Sequence, residues 1–209
     1  YALEQDIDNL IDTVKAYYEE ALSQGKDVLL DTNATQAEVD AATDKLLNAI
    51  WMLDFVKGDK TNLGILIERA ENMVSNVEKY VQGDIWQQLM DALDEAKTVY
   101  NDGDAMESDI QPVADKLLQA ILAQRYKADK SILEDLINKA NEMDLSQYTE
   151  ESVQLFKSAL KAANAVLKDE TLGEDEQSTV DNAVTNLENA IDGLEKLSSG
   201  NDNSDNTDK

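Results

Sequence analysis

Carboxylates are the one chemically capable side chain that this sequence supplies in quantity. Asp and Glu number 44 against 18 Lys and Arg, a formal net charge of −26. Two acids can hydrolyse a glycosidic bond, but only when they face each other across a cleft with their pKa values pushed apart. At this density, acid pairs at i and i+4 arise by composition alone and single out no catalytic pair. The other routes are closed. With no His and no Cys, there is no Ser–His or Cys–His nucleophile, no thiolate metal site or disulfide, and none of the usual pH switches. No Gly-rich phosphate loop is present.

Two short runs carry oxygen ligands: Asn101-Asp102-Gly103-Asp104 and Asp202-Asn203-Ser204-Asp205. Neither continues with the spacing and closing Glu of a calcium loop. They read as a turn and a solvated tail, so no metal and no cofactor is expected. Aromatic rings are the sharper candidates, because sugars stack on exposed Trp and Tyr. Trp51, Tyr17 and Tyr18 are the candidate binding residues. Tyr100 is a further aromatic of this kind, ordinary packing is the competing reading for Tyr17, Tyr18 and Tyr100, and Trp86 falls on an apolar stripe and is expected inside.

The elements that must hold these residues are helices. Hydrophobic residues make up 42% of the 209 residues but aromatics only 5%, so the core must be built from Ala, Leu, Ile and Val. One proline and eight glycines are too few for a chain of many tight β-turns. Three stretches repeat. They are Val39-Asp40-Ala41-Ala42 with Leu46, Ala49-Ile50 and Leu53; Ile110-Gln111-Pro112-Val113 with Leu117 and Ala120-Ile121; and Val180-Asp181-Asn182-Ala183 with Leu187, Ala190-Ile191 and Leu194. The spacing i, i+3, i+7, i+10, i+11, i+14 is one face of a helix. A helix precedes each stretch: Tyr18, Ala21-Leu22, Gly25 and Val28; Trp86, Leu89, Ala92-Leu93, Ala96 and Val99; Val153, Phe156, Ala159-Leu160, Ala163 and Val166. A further helix opens the second and third repeats, through Leu63, Leu66-Ile67, Ala70 and Val74, and through Leu133, Leu136-Ile137, Ala140 and Met143. Its counterpart in the first repeat would fall before Tyr1, and residues 1–28 read as mostly one long helix.

The expected architecture is all-α: tandem three-helix bundles in an elongated array. The boundaries are 1–57, 58–126 and 127–197, with 198–209 a disordered acidic linker. Residues 113–143 hold neither Gly nor Pro beyond Val113. A continuous helix of ~45 Å is therefore expected to join repeats two and three. Thr35 with Glu38 forms a capping box; Ser108 with Gln111 follows the same logic, with Pro112 tolerated near the first turn.

A second stripe lies off the core face: Leu47, Trp51 and Phe55, then Leu118, Leu122 and Tyr126, then Glu188, Asp192 and Lys196. It is apolar in the two repeats with a successor and polar in the last, as when repeats stack and the terminal one wears a polar cap. Trp51 thus has two readings, a junction residue buried against the next repeat or a binding platform.

The run Asn33-Ala34-Thr35-Gln36-Ala37-Glu38-Val39-Asp40-Ala41-Ala42, with Leu46, Ala49-Ile50 and Leu53, resembles the FIVAR ("found in various architectures") family. So do Val180-Asp181-Asn182-Ala183 through Ala190-Ile191 and the entry Tyr148-Thr149-Glu150-Glu151-Ser152-Val153. The resemblance spans nearly the whole chain as three copies. It implies three-helix bundles from large extracellular or cell-wall-attached proteins of Gram-positive bacteria, including adhesins and modular carbohydrate-active enzymes. It carries over no shared binding residues.

The negative field repels phosphate backbones and anionic lipid, which argues against nucleic acid and membrane surfaces as partners. No apolar run is long enough to span a bilayer. A monomer is expected. Its partners are neighbouring modules of the same polypeptide, and a polysaccharide or a host extracellular protein if it binds anything. The sequence points to a non-catalytic spacer; the alternative is a binding module.

Overall fold

A computed structural model describes residues 4–197. Among them eight α-helices follow one another: α1 (Asp12–Leu30), α2 (Gln36–Trp51), α3 (Thr61–Ser75), α4 (Asp84–Asn101), α5 (Glu107–Leu122), α6 (Ser131–Asn141), α7 (Glu150–Lys168) and α8 (Gln177–Asp192). The expected linker at 198–209 lies outside the described residues. The chain divides into two compact units. One holds Tyr1–Val77 with Asp84–Gln124; the other holds Glu78–Gly83 with Arg125–Lys209.

In the first unit, α3 packs on both α4 and α5, and α4 on α5. The shared core takes Leu63, Ile67 and Ala70 from α3, Trp86, Leu89 and Leu93 from α4, and Ile110 and Leu117 from α5. Trp86 is buried, as its stripe predicts. In the second unit, α6 packs on α7 and α8 around Leu133, Ile137, Phe156, Ala163, Val180 and Leu187. Each buried Leu, Ile or Phe contributes ~1.5–3 kcal/mol over leaving it in water. Small residues (Ala96, Ala163) where the helices meet allow the close approach. The first repeat is different: α1 packs on α2, around Tyr18, Ala21 and Ala49.

Every repeat is closed by the same short clasp, in which the strand-like segment before its second helix pairs antiparallel with the segment after its last. Ile11 donates to the Phe55 carbonyl at 3.1 Å and Lys57 to Asn9 at 2.7 Å. Val81 donates to Arg125 at 2.9 Å and Lys127 to Lys79 at 2.8 Å. Thr149 donates to Glu195 at 2.7 Å and Leu197 to Gln147 at 2.9 Å. In the second clasp the Tyr80 and Tyr126 rings stack with centroids 4.7 Å apart.

The clasp corrects the continuous helix expected between repeats two and three. α5 stops at Leu122 and α6 starts at Ser131. Neither Gly nor Pro breaks it. The backbone at Arg125, Lys127 and Ala128 is committed to tertiary pairing, Ala128 donating to Leu172 at 3.0 Å. The freed end of α5 is closed by the Gln124 amide, which donates to the carbonyls of Ala120 at 2.9 Å and Ile85 at 3.0 Å. The Asp129 carboxylate then restarts the chain as helix by accepting from the Ser131 amide at 3.0 Å.

Two further expectations are corrected the same way. Residues 1–28 are not mostly one helix, because α1 begins at Asp12, after Leu10 and Ile11 have joined the first clasp. The Ser108–Gln111 cap is replaced. α5 begins at Glu107, and Asp109 accepts from the Met106 amide at 2.9 Å. Pro112 then lies in the second turn, where the Ser108 carbonyl loses its intrahelical donor. The Thr35 box forms as expected: the Thr35 amide donates to Glu38 at 2.8 Å, and the Glu38 amide to the Thr35 hydroxyl at 3.4 Å.

Candidate functional site

The oxygen-rich turn after α4 is spent on structure. Asp102 accepts from the Asp104 amide at 2.8 Å. The Asp104 carboxylate accepts from the Thr13 amide at 2.7 Å and from the Thr13 hydroxyl, and the Gly103 carbonyl accepts from Asp12 at 3.1 Å. The turn thereby caps the start of α1. Among the described residues no group of three or more acids, His or Cys is placed to hold a metal ion. The second oxygen-rich run, Asp202–Asp205, lies outside the described residues.

Other carboxylates are occupied in the same fashion. Hydrogen bonds from Thr61, side chain then amide, hold Asp59 below the usual carboxylate range. The Ser131 amide and hydroxyl do this for Asp129, Thr171 for Asp169, Ser146 for Asp144 and Thr13 for Asp104. Hydrogen bonds from Arg125 lower Asp175, and those from Lys127 lower Glu170. All of these shifts favour the ionised form. A general acid needs the opposite, a carboxyl held protonated at neutral pH.

A repeated pentapeptide organises these contacts: Lys57-Gly58-Asp59-Lys60-Thr61 and Lys127-Ala128-Asp129-Lys130-Ser131, 70 residues apart. In each, the Asp stands two residues before the helix that follows and accepts from its first amide: Asp59 from Thr61 at 2.8 Å, as Asp129 does from Ser131 at 3.0 Å. The second Lys of each reaches the carboxyl end of the next helix in the bundle. Lys60 donates to the Tyr100 carbonyl at 2.9 Å and to that of Asp102; Lys130 donates to Leu167 at 2.9 Å and Asp169 at 2.5 Å. The first Lys pairs with an acid, Asp12 at 2.6 Å and Glu170 at 2.5 Å. Apolar periodicity does not register these residues, but the pentapeptide match was present to be read.

The aromatic candidates separate. Tyr18 is 1% exposed, so it presents no face to a ligand and is corrected from candidate binder to core. Its place on the Ala21-Leu22 stripe accounts for this. Tyr17 is half-buried with the Lys45 ammonium 5.6 Å from its ring centre; Lys45 also pairs with Glu20 at 2.7 Å. Trp51 is 73% exposed at the end of α2, flanked by the partly exposed Leu47 and Phe55. The junction reading of Trp51 is thereby corrected. Repeats one and two instead meet through Leu10, Ile11 and Val14 with Met52, Leu53 and Met106, and through Gly58, whose amide donates to Ala105 at 3.1 Å. The stripe was misassigned because the sequence did not reveal the clasp that brings Leu10 and Ile11 to the junction. Trp51 and Tyr17 are not brought into one site by any described contact. Tyr100 is partly exposed and lies over Gly64, where an added Cβ would come 3.1 Å from its ring.

An open groove of ≈ 590 Å³ runs along α1 and α2, lined mainly by apolar side chains including Leu22, Val28, Val39 and Leu46, with Lys26 and Asp31 as its charged residues. It has no paired carboxylates of the kind glycoside hydrolysis uses. Among the described residues no helix is long and apolar enough to cross a membrane.

The chain is 32% identical over 187 residues to a polysaccharide lyase 8 family protein, HylA, of Enterococcus faecalis (strain ATCC 700802 / V583). The match takes in 86% of this chain and 13% of that relative's length. No solved structure matches. The FIVAR domain matches three times, at residues 3–54, 59–123 and 129–195. Those three matches coincide with the three sets of helices, and the chain belongs to the FIVAR domain family.

Proposed function

We propose that this region is a non-catalytic helical spacer, which presents neighbouring modules of a secreted or cell-wall-attached protein of a Gram-positive bacterium. One observation carries the reading: the Asp and Lys side chains of the repeated pentapeptide are spent on helix starts and helix ends, in the same arrangement in the second and third repeats. Lys60 and Lys130, and Asp59 and Asp129, do identical structural work. The match to a small fraction of a polysaccharide lyase family protein supports a modular parent. The acidic surface favours a monomer and keeps it clear of anionic polymers. The test is replacement: in the parent protein, these residues are exchanged for an unrelated helical repeat of equal length. Parental activity and surface display persist if the region is a spacer, and fall if its own surface is needed.

A second reading is favoured by Trp51. A tryptophan 73% exposed between two partly exposed apolar neighbours is the surface a polysaccharide or a host extracellular protein would use. That reading predicts saturable binding which Trp51→Ala abolishes without unfolding the chain.

A further inference from the structure

The first repeat leaves open a face that the other two repeats cover. Positions 71 and then 70 residues apart make the comparison direct. Val39 is 39% exposed, whereas Ile110 and Val180 are 3% and 2% exposed. Leu46 is partly exposed, whereas Leu117 and Leu187 are fully buried. On the neighbouring helix the offsets are 71 and then 67, because the loop that follows is three residues longer in the last repeat; there Gly25 stands where Ala96 and Ala163 are buried, and a Cβ added at Gly25 would meet nothing within 4 Å. Val39, Leu46 and Gly25 all line the open groove between α1 and α2. In the complete bundles the covering element is α3 over α4 and α5, and α6 over α7 and α8.

We infer that this groove is the seat of an amphipathic helix of the α3 and α6 kind, supplied by the same polypeptide from the amino-terminal side of α1. Its chemistry is set by its counterparts: apolar residues at i, i+4 and i+7, as in Leu63, Ile67, Ala70 and Leu133, Ile137, Ala140, all buried, with polar residues elsewhere. Its direction is set by chain order. In both complete repeats the covering helix directly precedes the second helix, across eight residues, 76–83 and 142–149. A second copy of the chain is disfavoured as occupant, since it would bring another −26 of charge against acidic helices.

The test grafts the α3 sequence, Thr61–Ser75, directly before Glu4 of the full chain, so that residues 4–11 provide the eight-residue connection. Hydrogen exchange is followed at the amides from Val39 to Leu46, beside a control graft carrying Leu63→Asp and Ile67→Asp. The inference predicts at least a tenfold slowing with the apolar graft and none with the control. Equal exchange in both grafts overturns it. So does a groove already protected in the ungrafted chain by concentration-dependent dimerisation in the ultracentrifuge, which would give the face to a second copy.

Discussion

The ammonium of Lys60 lies 2.9 Å from the carbonyl oxygen of Tyr100, closing the end of α4 with a cation from the segment that opens the bundle. Lys130 repeats the contact at Leu167, at 2.9 Å. Each contact satisfies carbonyls that a helix end leaves without donors and places positive charge at the negative end of the dipole. Lys60→Met and Lys130→Met are each expected to cost about 1–2 kcal/mol. Denaturant midpoints would measure this, and the two losses should add. Lys26→Met, a lysine with none of these contacts described, is the control and should change little.

Gly58 and Ala128 hold the same position in the repeated pentapeptide but different space. A Cβ on Gly58 would lie 2.6 Å from the Glu107 amide nitrogen and 2.8 Å from the Met106 carbonyl carbon. These are backbone atoms and cannot turn aside. Gly58→Ala should therefore destabilise by about 1–3 kcal/mol, although its counterpart is an alanine. Thermal unfolding tests it; an unchanged midpoint would show that the start of α5 gives way.

The two tryptophans should behave as opposites. Trp86 is buried on α4, and Trp86→Ala should cost ~3–5 kcal/mol. Trp51 is 73% exposed, and Trp51→Ala should stay within ~0.5 kcal/mol of the parent. Chemical denaturation of both variants measures the contrast.

Asp129 gives a pH prediction with a definite sign. Its folded pKa is depressed below the ordinary 3.8, first by the Ser131 amide and then by the Ser131 hydroxyl. The stability it adds is fully present above the unfolded value and lost as pH falls through the lower folded value. The stability difference between the parent and Asp129→Ala should thus be flat from neutral pH to about pH 5 and shrink below pH 4. Comparing the two proteins cancels the background from the other acids. A difference that grows on acidification would contradict the assignment.

Much of the architecture was legible. Apolar spacing placed the helices and buried Trp86, because a helix that packs on one face must repeat its apolar residues near every 3.6 positions, and the Thr35–Glu38 spacing located the cap. The clasps were not legible. Each consists of two backbone hydrogen bonds between segments about 46 residues apart, and so short a pairing imposes no period-2 pattern on its side chains. The missed clasps account for the corrected helix across 123–130, the corrected start of α1 and the misread of Trp51. Tyr18 was legible as core from its stripe; treating it also as a surface aromatic put residue type ahead of register. The candidate site was legible only as exposed aromatic chemistry, since exposure depends on which helices pack beside α2.

The central claim is that this region carries other modules and makes no recognition of its own. A glycan-array and matrix-protein binding screen of the purified chain tests it most directly, with Trp51→Ala run alongside. The account predicts no saturable binding for either protein. Saturable binding to one polysaccharide or one host protein, lost in Trp51→Ala while the fold survives, would contradict it and make the exposed end of α2 a recognition site.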